Sequence, residues 1–97
     1  MYFFAAGNLG RLPRGAILHA DWGDGQVYLY LQRVEHLRED IDVRIWYGRS
    51  PRLDRSGRAY LSAMPGTKAG SPVVVAHADD LDELGGGLFH VRPETPR

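Results

Sequence analysis

The chain contains no cysteine. That absence removes disulfides, thiolate metal sites and a cysteine nucleophile together. Nowhere do the roughly 18 consecutive apolar residues of a membrane-spanning helix occur. The start, MYFFAAGNLG, has only a five-residue apolar run with no basic stretch before it, so no signal peptide is expected. Net charge is absent too, with 12 basic residues against 12 acidic ones. Motifs of catalysis are missing: Gly85-Gly86-Gly87 lacks the Gly-Lys-Ser/Thr ending of a phosphate loop, no Gly-x-Ser-x-Gly is present, and Asp79, Asp80, Asp82 and Glu83 lack the spacing of a calcium loop. A non-enzymatic, cytoplasmic protein without cofactor, metal or membrane attachment is therefore expected.

What remains is a globular composition, 43% hydrophobic and 25% charged, which matches neither a disordered nor a fibrous chain. Ninety-seven residues suffice for a single domain, expected over 1–97 with a frayed tail at 93–97, and too few for two independent cores. The neutral total conceals a division into three. Residues 1–43 carry four basic and six acidic groups, residues 44–68 six basic and one acidic, and residues 69–97 two basic and five acidic. The middle of the chain is a basic island of +5, and local charge is what a binding surface responds to.

Short β-prone runs alternate with turn-rich segments. Aromatic residues at 2–6 suggest a first strand, and runs at 16–21 and 26–34 flank Asp24-Gly25, a strong signal for a tight hairpin turn. Residues 27–41 also repeat apolar side chains at helical spacing, through Val27, Leu31, Val34, Leu37 and Ile41. Residues 41–47 alternate, with Ile41, Val43, Ile45 and Tyr47 on one face and Asp42, Arg44 and Trp46 on the other. Further strands are expected at 59–64, 73–77 and 88–92, and one helical turn over the acidic residues after Asp79. The expected fold is mainly β: a small bent antiparallel sheet or Src-homology-3-like barrel with one or two short helical turns. The alternative is an α+β fold with a helix near 27–40.

The pattern Gly15, Ala20, Trp22, Asp24-Gly25 and Tyr28, followed by Val43, Ile45 and Tyr47-Gly48, resembles the first three strands of Tudor-type domains over residues 12–50. The resemblance implies a small barrel in which Trp22, Tyr28 and Tyr47 line an aromatic cage for methylated Lys or Arg. Independently of it, three aromatic faces at one barrel mouth could hold a cation, while aromatic partners across a hairpin could equally be packing alone.

Arg49, Arg52, Arg55 and Arg58 recur every third residue in a Gly-, Ser- and Pro-containing stretch. Guanidinium groups grip phosphate and carboxylate bidentately, so such a loop suits nucleic acid or an acidic protein face. His-Ala-Asp occurs at 19–21 and again at 77–79, where imidazole and carboxylate would share a strand face. The expected function is a protein-binding module, an adaptor, regulator or inhibitor, using Trp22, Tyr28, Trp46, Tyr47, Arg49, Arg52, Arg55 and Arg58 on a protein partner. Alternatives are a nucleic-acid-binding accessory protein acting through the 49–58 loop, and a small metal-dependent enzyme built on the two His-Ala-Asp segments. A homo-oligomer is compatible with all three.

Overall fold

The computed structural model describes residues 2–46, 52–63, 78–85 and 87–93. In chain order these form helix α1 (Tyr2–Arg11), strand β1 (Ile17–Asp21), helix α2 (Trp22–Arg33), strand β2 (Asp42–Trp46), strand β3 (Ala59–Ser62), a 3-10 turn (Ala78–Asp80), strand β4 (Leu81–Gly85) and strand β5 (Leu88–Val91). The strands make one open, mixed sheet in the order β2-β1-β3-β5-β4. β1 runs parallel to both β2 and β3, whereas β5 pairs antiparallel with β3 and with β4. The protein is mainly β with some helix, but the sheet is neither closed nor wholly antiparallel.

Two expectations are corrected by these elements. The aromatic run at the start is α1, not a strand, and the segment read as a hairpin turn and its second strand is α2. The α+β alternative thus has the right kind of element, with the helix at Trp22–Arg33 instead of 27–40. Its inner side is Gly25, Tyr28 and Leu31, all buried, while Trp22, Gln26 and Tyr30 face outward. That is helical periodicity, and burial on it outweighs the β preference of Val-Tyr-Leu-Tyr-Leu. Parallel pairing of β1 with β2 also requires a crossover, which a two-residue turn cannot supply. Gly25 therefore serves packing, not turning: a Cβ there would lie 2.5 Å from Cγ1 of Ile45 on β2.

The other strands follow the sequence more closely. β2 alternates as read, and β3 and β5 lie inside the expected runs. The acidic segment holds its helical turn only through Asp80 and then becomes β4. The strand expected at 73–77 lies outside the described residues.

Two apolar clusters sandwich the sheet. On the helix face, Leu18, Ala20 and Leu88 pack with Ala5, Leu9, Tyr28 and Leu31. On the opposite face, Ile17, Ala59, Leu61, Leu81 and Val91 pack with Trp46, Leu53 and Phe89. Arg38 ties the helix layer down by donating to the carbonyls of Leu9 and Leu12 at 2.7 and 2.8 Å, which satisfies acceptors at the end of α1. Asp40 holds that guanidinium at 3.0 Å and accepts the Gly15 amide, and these bonds keep its carboxyl well below the usual carboxylate range.

Candidate functional site

The site begins with the strand order. The connection leaving β1 is α2, on one face, while residues 53 and 54 of the return from β2 to β3 lie on the other, where Leu53 packs beside Trp46. Right-handed crossovers demand this, because the second connection travels in the opposite direction along the sheet. The carboxyl ends of two parallel strands with diverging connections leave a crevice, the usual place for a ligand in sheets of this kind.

At that end β1 aligns His19 with Arg44 and Asp21 with Trp46 of β2. Trp22 follows Asp21 directly, so both tryptophans sit at the same end of the sheet. Trp22 is 58% exposed; Trp46 is half-buried, not the exposed residue the alternation implies. A hollow of about 190 Å³ opens here, lined by His19, Arg44, Ile45, Trp46 and Arg52.

Residues 52–58 are pinned to the sheet face by their own bonds. The Asp54 amide donates to Nε2 of His19 at 3.1 Å. The Asp54 carboxylate accepts from the Ser56 amide at 2.9 Å and from its hydroxyl, and these bonds hold its pKa below the ordinary value. His19 is only 3% exposed. Burial, aided by Arg44, pushes its pKa down, against opposing pulls from Asp54 and Asp42. The ring is accordingly neutral near pH 7, and because Nε2 accepts, the proton resides on Nδ1.

The arginines differ sharply in circumstance. Arg44 binds Asp42 at 3.0 Å and lies 3.9 Å from Asp54. Arg55 donates to the Arg92 carbonyl at 2.8 Å and pairs with Asp80 at 3.3 Å, so it braces the loop against the far edge of the sheet. Arg52 and Arg58 are exposed, and only Arg52 lines the hollow. Tyr28 is fully buried on α2 with its hydroxyl 2.7 Å from Ser62 Oγ, so it cannot line a surface cage. Tyr47 and Arg49 lie outside the described residues, as does His77 of the second His-Ala-Asp.

Comparison with family models, curated proteins and solved structures finds no match to this chain. The Tudor likeness gains no support from it, and the hairpin on which that likeness rests is a strand followed by a helix. Among the described residues no group of three or more His, Asp or Glu is placed to hold a metal ion, and no helix is long and apolar enough to cross a membrane.

Of the residues singled out from sequence, Trp22, Trp46 and Arg52 are brought to one end of the sheet. Arg44 and His19 join them at the hollow and were not among the expected binding residues. Arg44 was legible as a neighbour of Trp46 on an alternating strand. His19 was visible only as half of a repeated tripeptide, because its partner amide lies 35 residues away.

Proposed function

We propose that this domain is a protein-binding module that receives an acidic segment of a partner at the carboxyl ends of β1 and β2. The observation that carries the reading is the hollow lined by Trp46, Arg44 and Arg52. A tryptophan flanked by arginines in a concave, partly desolvated setting is the composition of a binding hot spot. Trp22, at the same end of the sheet, is 58% exposed but is not among the residues lining the hollow.

Charge favours a protein over a nucleic acid. A surface for a polyanion presents several unbalanced cations along a track. Here Arg44 is matched by Asp42, and Arg55 by Asp80 and a carbonyl. Only Arg52 and Arg58 of the described loop arginines remain exposed.

The test is capture of partners from the native host by the full chain and by its Trp46→Ala and Arg52→Ala variants, with and without nuclease. A protein retained by the wild type after nuclease treatment, and bound at least about tenfold more weakly by the Trp46→Ala variant, supports the reading. Recovery of nucleic acid alone, with affinity falling linearly in log salt and indifferent to Trp46, overturns it.

A further inference from the structure

Among the described residues His19 is the one buried histidine, and its second nitrogen is unaccounted for. Nε2 accepts the Asp54 amide, which leaves Nδ1 as an N–H donor, and no described residue accepts from it. A buried donor without an acceptor is costly, so such a group in a folded chain calls for an explanation. The ring lines the hollow, and two of the other four lining residues are arginines. Donors from β1, from β2 and from the loop thus converge on one space, with no acceptor among the described side chains that line it.

We propose that the hollow is an oxyanion subsite for a single carboxylate, an Asp or Glu side chain or a chain terminus of the partner, whose oxygens take up His19 Nδ1–H and the Arg52 guanidinium beside the ring of Trp46. This rests on the protein-binding reading above and specifies the group recognised. Arg44 contributes field more than bonds, because its Nε is engaged by Asp42 at 3.0 Å. The described cations at the hollow are already partly matched: Arg44 binds Asp42 at 3.0 Å and lies 3.9 Å from Asp54, and Asp21 stands two residues from His19 on β1. Such a setting suits a singly charged carboxylate better than a phosphate group, at about −1.5 to −2 near pH 7.

The experiment uses the full chain and follows the ring resonances of His19 and the indole resonance of Trp46 by NMR. Sodium acetate, inorganic phosphate and sodium chloride are titrated separately at matched ionic strength. Acetate is expected to shift both sets of resonances saturably, while chloride leaves them unsaturated. His19→Met keeps only a weak thioether acceptor for the Asp54 amide and has no N–H to donate, and should weaken acetate binding by about tenfold. Should that variant fail to fold, Arg52→Gln, at an exposed position, carries the test with an expected loss of about threefold or more. Shifts that follow chloride, or that are the same in wild type and variant, overturn the subsite. Phosphate binding more tightly than acetate overturns the carboxylate assignment. If acetate does not bind and Trp46→Ala still abolishes partner capture, the subsite fails and the protein-binding reading stands. If acetate binds and capture ignores Trp46, the subsite stands and that reading fails.

Discussion

The two faces of the sheet treat buried polar groups differently. On the helix face, Ser62 and Asn8 are buried, and both hydroxyl and amide meet the phenol of Tyr28, at 2.7 and 3.4 Å. Around them Ala5, Leu9, Leu18, Ala20, Leu31 and Leu88 make an apolar cluster. On the loop face, His19 is just as buried but has only one of its nitrogens engaged, and Arg44 and Trp46 stand beside it half open to solvent. A face whose buried Ser62 and Asn8 both meet Tyr28 is built to stay shut. A face that leaves a donor unanswered, among cations, is arranged for something else to answer it, which is why function is placed on the loop side.

The sharpest way to separate the faces is to damage the closed one. Leu18→Ala, at a fully buried position between both helices and the sheet, should cost about 3 kcal/mol or more in denaturant unfolding. Next comes Gly25→Ala. Helix propensity alone would favour alanine by about 1 kcal/mol, but the added methyl collides with Ile45, and the net change should be destabilising by about 1 to 2 kcal/mol. In an Ile45→Ala background the same change should become neutral or stabilising, and a double-mutant cycle showing no such coupling would remove the close approach as the reason for the glycine. Ser62→Ala should cost about 1 kcal/mol, since it leaves the Tyr28 hydroxyl one partner short.

On the loop face the effects should be small on stability and visible elsewhere. His19 has a folded pKa below its ordinary value of 6.5, so the unfolded chain takes up the proton first. Its contribution is intact above about pH 6.5 and is lost as the pH falls towards the folded pKa, because a protonated Nε2 can no longer accept the Asp54 amide. Melting temperatures from pH 7.5 down to 5 should decline more steeply for wild type than for His19→Gln; parallel curves would show that the ring is not the titrating group. Smallest of all, Arg52→Ala should change stability by no more than about 0.5 kcal/mol while weakening partner binding. A large loss of stability would make Arg52 a structural strut like Arg55.

The same contrast explains what could be read from the chain. β2 was legible because one of its faces packs on the helices and the other does not, so Ile41, Val43 and Ile45 alternate with Asp42, Arg44 and Trp46. α2 was misread because Asp24-Gly25 is a turn signal only where two strands follow the local rule. Here Gly25 answers to Ile45, twenty residues on. Parallel pairing leaves no local mark at all, since what distinguishes it is the crossover and not the strand. Trp46 and Arg52 were recognisable by residue type and neighbourhood. The hollow they share with His19 was not, because it exists only once residues 52–58 fold back across β1.

β1 lies at the centre of the parallel part of the sheet, and its neighbours come late. The Ile17 amide bonds the Arg58 carbonyl, and the Asp42 amide bonds the Ala16 carbonyl. No early segment of the chain can therefore complete this strand by itself. A fragment ending after β2 would present the whole β3 side of Ile17–Asp21 unpaired, and the loop closures that repair it must be made before the contacts that reward them. Such a topology has high contact order for its size. It should fold in one cooperative step, more slowly than a helical bundle of equal length, and the β1 amides should be the last to exchange with solvent deuterium.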